Sequence, residues 1–481
     1  MFGQPPGLKT LFFTEMWERM SYYGMRAILI LFLVESLDAD NAGMGIDTVT
    51  AGAIYGLYTS LVYLTALPGG WLADTLLGLR KTVFLGGCVI AAGHFCMAIP
   101  GEVFFFLGLL LIIIGTGMLK PNISAMVGDL YPEGGARRDA GYSIYYMGIN
   151  LGATLGPLIC GYLGQNINWH YGFLAAGIGM VAGLIQYHFG QKSLGDAGLP
   201  PEVAPQERKS SWKKLQIVVG GTLGLSILAI VGHTQGWFTL TFIAAANVLK
   251  SLVLLAVGAY FLVIFLQSRW TLAEKKRCAV ILVLCLSAAI FWAGFEQAGS
   301  SLNIFAEDFT NMGNVPASWF QSANPFFIIL LAPLFSMLWQ RLAVRQPSIS
   351  LKFGLGLIIM AAGFLVISMV SKGVTEENRA GAQWLLLTYF LHTTGELCLS
   401  PVGLSGMTKL APRPLAGQMM GIWFTSSAFG SLIAGLTASQ MDEKPLHSLF
   451  GDVFVFATVT GVVLILASPL LRNLAGKETR I

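Results

Sequence analysis

Charge is scarce in this chain. Asp, Glu, Lys and Arg make up 11% of its 481 residues, less than half of the roughly 25% usual in soluble domains. That shortage excludes a water-soluble globular protein. In its place stand 55% hydrophobic residues and a mean hydropathy of +0.68. Cysteine is almost as sparse: Cys88, Cys96, Cys160, Cys278, Cys285 and Cys398 lie mostly inside apolar runs and form no CxxC pair, which excludes a disulfide framework and a cysteine metal site. Strand-period alternation is missing, so the fold class is all-α. No basic-aromatic recognition module is visible, so nucleic acid is not an expected partner. GTGMLKPN lacks the GxxxxGK[ST] phosphate loop, and no nucleophile-base arrangement is evident. The chain therefore reads as neither an enzyme nor a cofactor-dependent protein.

What is present is a series of apolar runs long enough to cross a hydrocarbon core about 30 Å thick, where a helix alone satisfies its own backbone. Fourteen are expected, over 8–35, 48–74, 81–99, 103–125, 138–163, 169–190, 215–233, 240–267, 275–306, 315–340, 351–371, 382–408, 415–440 and 450–471. A polar linker, 192–214, separates the sixth from the seventh. The start, MFGQPPGLK, has no charged stretch leading into a cleavable apolar run, so no signal peptide is expected.

Sorting the 29 Lys and Arg residues between alternate loops tests the count. Twenty-two gather in one set of loops, and only Lys372, Arg379 and Lys444 fall in the other. The positive-inside rule then places both termini and the linker in the cytoplasm. An error of one helix would have mixed the two sets.

Four bases and four acids remain inside helices: Arg19, Arg26, Lys120 and Lys250, with Glu15, Glu18, Glu296 and Glu396. Each charge costs at least about 2.5 to 3.5 kcal/mol at bilayer depth unless it faces water or a partner. If the pair spanning 215–267 is an insertion between six-helix halves at 1–191 and 268–481, the charges fall on helices one, four, seven and ten of a twelve-helix core. That periodicity points to three-helix repeats whose first members line a central cavity. Lys250 does not fit and is expected to snorkel.

Within TEMWERMSYYGMR, residues 15, 18, 19, 22 and 26 follow spacings of three and four, so they share one helical face. An internal Glu15 to Arg19 pair accounts for two of them and leaves Glu18, Tyr22 and Arg26 facing the cavity. At 1.5 Å per residue Arg26 lies about 27 Å along its helix, level with Glu296, while Lys120 and Glu396 share the inner half. Two pairs across the bundle are expected: Arg26 with Glu296 outside, Lys120 with Glu396 inside.

These residues resemble the proton-dependent oligopeptide transporter (POT/PTR) family of the major facilitator superfamily, of the bacterial di- and tripeptide type. EMWERMSYYG is similar to its ExxERFxYYG signature, and LKPNISAMVGDLY, FWAGFEQ and GELCLSPVGLS to its motifs on helices four, seven and ten. Two departures are Met20 in place of Phe, and Phe295 where some members carry a second acid before Glu296. The second bears on how many protons move, or on which acid carries them.

The resemblance implies a major facilitator fold of two six-helix bundles plus two inserted helices. It implies symport of protons with di- and tripeptides in the bacterial inner membrane by a monomer, with protons as coupling ion and no cofactor. Arg19 and Lys120 would hold a peptide carboxylate, and Glu396 with Asn150 and Asn324 its ammonium. Tyr22, Tyr23, Tyr63, Trp292 and Trp423 would form walls, for which helix packing or an interfacial belt is the alternative. Arg26 is expected in the same cavity. Proton coupling would fall to Glu15, Glu18, Arg19, Arg26 and Glu296. GGWLADTLLGLRK resembles the superfamily motif after helix two, giving Asp74 and Arg80 a structural part in gating. Pro121 would break helix four beside Lys120, and Pro325 would kink the helix carrying Asn324. His392, one turn from Glu396, reads as packing. Transport of nitrate or a peptide-like drug on the same fold, and a non-transporting sensor, are the alternatives.

Overall fold

In the computed structural model the described residues are 3–133, 135–200, 205–342, 345–375 and 377–476. Among them fourteen helical segments of spanning length follow one another. They are α1 (Pro6–Val34), α2 (Thr48–Leu77), α3 (Leu79–Met97), α4 (Glu102–Asp129), α5 (Gly135–Asn166), α6 (Trp169–Gly190), α7 (Pro205–Thr234), α8 (Phe242–Leu266), α9 (Leu272–Phe309), α10 (Ala317–Leu342), α11 (Ile349–Val370), α12 (Ala382–Leu410), α13 (Ala416–Ala438) and α14 (Leu446–Ala475). Ten of these are apolar enough to cross a membrane on composition alone. α1 is not one of them, because its charged stripe interrupts every window. A two-residue parallel pair, Thr310–Asn311 with Ala380–Gly381, is the strand structure among the described residues.

Order and number of the segments follow the apolar runs, but the ends do not. α7 begins at Pro205 rather than 215, since QERKSSWKK continues into the helix. Glu, Lys, Arg and Gln are good helix formers, and an apolar window cannot register a charged turn standing beyond the bilayer. The linker residues 201–204 and the tail 477–481 lie outside the described residues.

Three segments are broken where the sequence reads as continuous. α2 steps at Thr65, whose hydroxyl donates to Leu61 O (2.8 Å) and to Ile113 O of α4 (3.0 Å), and it ends in a wide turn over Ala73–Leu77 before Gly78 at φ 79°. α9 runs to Phe295, tightens into a 3-10 turn over Glu296–Gly299 and resumes at Ser301. A Cβ at Gly299 would collide with the Tyr55 hydroxyl of α2, so close approach of another helix requires glycine at the break. Glu296 is thereby placed at a helix end instead of inside one. α10 opens with a 3-10 stretch, Ala317–Ser322, before its α-helical part from Ala323.

The expected break at Pro121 is corrected: α4 passes through it without ending. Pro325 is the third residue of the α-helical part of α10, just beyond the 3-10 stretch, so the change of helix type falls beside it.

α7 and α8 stand apart from the rest. The apolar windows of α7 and α8 are 6% and 17% buried, against 56% for α2 and α9. Most of their leucine, valine and isoleucine side chains face outward, Val253 and Ile264 of α8 excepted, as lipid requires. α8 is fastened at both ends, by Phe242 stacked on Phe106 (5.5 Å) and by the Tyr260 hydroxyl donating to Gln418 Oε1 (2.7 Å). Lys250 donates to Asn247 one turn earlier (2.7 Å) and does not border the central cavity.

Candidate functional site

The charged stripe of α1 is buried over its whole length: Glu15, Glu18, Arg19, Tyr22 and Arg26 all lie inside the protein. Arg19 Nε donates to Glu15 Oε1 (2.7 Å) and stands 2.8 Å from Glu18 Oε2. Two carboxylates thus share one guanidinium, whose Nη2 has no hydrogen-bond partner. Arg26 Nη1 donates to Glu296 Oε2 across the bundle at 2.8 Å, and its guanidinium lies 5.0 Å from the centre of the Tyr23 ring.

A cavity of about 160 Å³ opens beside this pair. Tyr23, Arg26, Tyr63, Asn150, Trp292, Glu296, Asn324 and Glu396 line it together with Tyr146, Gln321, Tyr389 and His392. Glu396 accepts from Asn324 Nδ2 (3.0 Å), which also donates to Thr393 Oγ1 (2.9 Å). A guanidinium paired with Glu296 and a carboxylate held by an amide therefore border one chamber. Such a chamber can take a molecule with separate anionic and cationic ends.

Several expected residues lie elsewhere. Arg19, Tyr22, Lys120 and Trp423 do not border the cavity. Lys120 points its ammonium at the Tyr63 ring, 4.1 Å from the centre. Trp423 is buried against Phe353 (6.1 Å) and fills the space over Gly403, which is the packing alternative for that aromatic. Asn150 donates to Tyr146 O within its own helix (2.9 Å). His392 stacks on Phe364 at 4.7 Å.

The inner pair is absent. Lys120 and Glu396 are not paired with each other: each is held within its own half, by Tyr63 and by Asn324. The other end is sealed. Ala27 O accepts from Asn303 Nδ2 (2.8 Å) and Gln321 Nε2 (3.3 Å), Val49 O from Ser439 Oγ (2.6 Å), Thr154 O from Ser322 Oγ (2.7 Å), and Leu158 O from Trp319 Nε1 (3.0 Å). Beside Ser439, Gly52 and Gly56 of α2 lie against Gly435 of α13 so closely that a Cβ on any of the three would meet backbone atoms. The protein is closed at the face remote from its termini.

Asp74 and Arg80 do not form a pair either. Asp74 is exposed on the turn that ends α2. Arg80 instead grips the start of the linker, donating from Nε to Ala197 O (2.6 Å), from Nη2 to Gly195 O and from its backbone N–H to Gly198 O (3.1 Å). Asp129 Oδ2 accepts from Gly198 N (3.2 Å) on the same strap.

Residues 80–459 match the sequence profile of the POT family (PTR2). This chain belongs to the POT family. Full-length relatives agree: the chain is 40% identical to a di-/tripeptide transporter of Lactococcus lactis subsp. cremoris, covering 98% of this chain and 97% of that one. It is 42% identical to an uncharacterised transporter, YclF, of Bacillus subtilis (strain 168), covering 98% and 95%. Among solved structures it superposes on a POT peptide transporter in complex with sulfate with a TM-score of 0.92, at 40% identity and over 98% and 96% of the two chains. The POT chain thus has the major facilitator fold, two six-helix bundles with two inserted helices, and is a multi-pass membrane transporter. The charged stripe of α1 lies before the matched range and is covered by the full-length relatives.

Sequence reasoning missed Asn303, Gln321 and Gly435 in the seal. It also counted Lys352 among loop cations, although that residue is 4% exposed. The signal for Lys352 was its place after Ser348, which caps α11 by accepting from Leu351 N (3.3 Å). A lysine that close behind a helix cap and followed by an apolar run belongs to the helix.

Proposed function

We propose that this POT-family chain imports di- and tripeptides together with protons across the bacterial inner membrane, with both termini in the cytoplasm. The observation that carries the reading is the chamber bordered both by Glu396, held by Asn324, and by the Arg26–Glu296 pair that joins the halves. A carboxylate held by an amide suits an ammonium, and a guanidinium suits a carboxylate. A zwitterion gripped at its ends leaves its side chains little read, which allows many peptides. The Lactococcus relative's name supports the same substrate class.

The halves 1–191 and 268–481 rock about the chamber, with 215–267 as an insertion at their margin and a monomer as the working unit. On this reading the conformation sealed at the remote face is the one open toward the cytoplasm. Protons enter through carboxylates that share too few cations: Glu15 and Glu18 share Arg19, and a proton on Glu18 balances that buried cluster. Arg19 and Lys120 take the peptide carboxylate in the outward-open state, when the halves reposition around them.

Counterflow of labelled dialanine in proteoliposomes tests the reading. An inward proton gradient drives accumulation in the parent. Glu396→Gln loses peptide binding measured by calorimetry, whereas Glu18→Gln keeps exchange and loses concentrative uptake. Accumulation that persists with a proton ionophore present and responds neither to pH nor to voltage rules out proton coupling.

A further inference from the structure

A second cavity, of about 420 Å³, lies on the terminal side of the first and shares two residues with it, Tyr146 and Glu396. Its other walls come from α10 (Phe335, Ser336, Trp339), the following loop (Gln346), α11 (Lys352) and α12 (Ser400). One lining residue is a buried cation. Lys352 donates from Nζ to Gln346 Oε1 (2.9 Å) and holds its ammonium 4.2 Å from the centre of the Trp339 ring. Among the described residues it has no carboxylate within ion-pair distance.

An ammonium has three donors, and one is used by Gln346. A buried charge without a counter-charge is costly. The Trp339 ring and one amide oxygen compensate in part, and an anion in the cavity would complete the shell. Ser400 lines the same cavity, and its Oγ has no hydrogen-bond partner. Phe335 and Trp339 supply apolar wall for the stem of a side chain.

Height fits the same occupant. Gly356 of α11 packs directly on Gly395 and Leu399 of α12, and Lys352 lies one helical turn nearer the terminal face, about 6 Å. Ser400 is likewise one turn beyond Glu396. A group anchored at Glu396 therefore has the ammonium of Lys352 within the reach of one long side chain.

We propose that this cavity is a side-chain subsite for acidic residues: with the peptide ammonium on Glu396, the side chain of the first residue enters the second cavity and its carboxylate pairs with Lys352. This rests on the peptide reading of the first chamber. The ammonium and the first side chain leave the same Cα, so the space next to Glu396 is where that side chain goes. Peptides with Glu or Asp in first position are then favoured over their neutral isosteres.

The test is competition against counterflow of labelled dialanine by Glu-Ala and Gln-Ala, and by Asp-Ala and Asn-Ala. In the parent the acidic peptide of each pair is expected to inhibit at about tenfold lower concentration, a difference of about 1.4 kcal/mol. Lys352→Gln brings the ratio to one or below, and Lys352→Arg restores much of it. Because the ratio is internal to each variant, reduced uptake does not obscure it. Should Lys352→Gln not fold, Gln346→Glu supplies a competing carboxylate to the ammonium and also removes the preference. Equal potency of acid and amide in the parent overturns the proposal, as does a ratio that survives both substitutions, which would make Lys352 a structural cation. Absence of dialanine exchange in the parent overturns the peptide reading itself, a separate result.

Discussion

The two ends of the central chamber hold their charges in different ways. At the end remote from the termini Arg26 and Glu296 reach across the halves to each other. At the near end Lys120 and Glu396 are each occupied at home, by Tyr63 and Asn324. An open gate thus costs little where both charges have a partner within their own half, because opening strands neither. At the remote end only Arg26 has such a partner in view, the Tyr23 ring at 5.0 Å. Among the described residues Glu296 has no hydrogen-bond or ion-pair partner but Arg26, so opening that end leaves a carboxylate to be hydrated or protonated. The difference between the ends is a physical reason for coupling a proton to the remote gate.

The largest effect should come from breaking that pair. Arg26→Ala or Glu296→Ala leaves one buried charge unmatched, a loss of about 3 to 5 kcal/mol. Each should abolish concentrative transport and prevent closure of the remote end. The exchange Arg26→Glu with Glu296→Arg keeps opposite charges and should recover part of the gating. Labelling of a cysteine at the remote rim, with and without peptide, reads it directly. A single variant that closes around peptide like the parent removes the basis of the comparison.

Next in size is the glycine contact in the same seal. In Gly435→Val the new side chain meets backbone of Gly52 and Gly56, and overpacking of this kind costs about 1 to 3 kcal/mol. The remote-end cysteine should become more accessible while peptide binding to the open form persists. Gly417 of the same helix has open space around it, so Gly417→Ala should change nothing. Equal labelling of the two variants would show that the helices part without regard to this contact.

Most of the fold was legible because bilayer thickness acts on composition, and apolar length survives any detail of packing. The match in height of Arg26 and Glu296 was legible for the same reason, since helix rise converts residue number into depth. Helix breaks were not. At the turn after Glu296, Tyr55 of another helix meets Gly299, a contact between residues far apart in sequence. Trp423 shows the converse: the family resemblance implied a wall residue, and its neighbours Phe353 and Gly403 show that it fills a packing hole. The motif gave Asp74 and Arg80 a structural part in gating, and what Arg80 holds, the carbonyls of the linker, no side-chain pattern reports. The inner pair failed for another reason. A sequence specifies both states of a two-state machine, and one conformation displays one of them.

The near end offers a smaller test. Tyr63→Leu removes the ring that occupies Lys120, an interaction of about 0.5 to 2 kcal/mol. If the home partner is what makes opening inexpensive there, this variant should favour closure of the near end. A cysteine on that face should then label several-fold more slowly in the absence of peptide. Unchanged labelling would mean that the ring merely borders the lysine.

The smallest expected effects lie in the two amides on Ala27 O, and their pattern says more than their size. Asn303 and Gln321 both come from the second half and both donate to one carbonyl, at 2.8 and 3.3 Å, immediately after the arginine of the remote gate. Each bond contributes about 0.5 to 1.5 kcal/mol net. Either amide alone keeps the carbonyl joined to the other half, so Asn303→Ala and Gln321→Ala should each shift remote-end labelling by about threefold or less. Asn303→Ala should be the larger, having the shorter bond. The double variant removes both donors and should exceed the product of the singles, reaching about tenfold or more, the signature of two groups serving one acceptor. Effects that simply multiply would show two independent contacts. The seal would then be a sum of parts, unlike the all-or-none charge pair beside it.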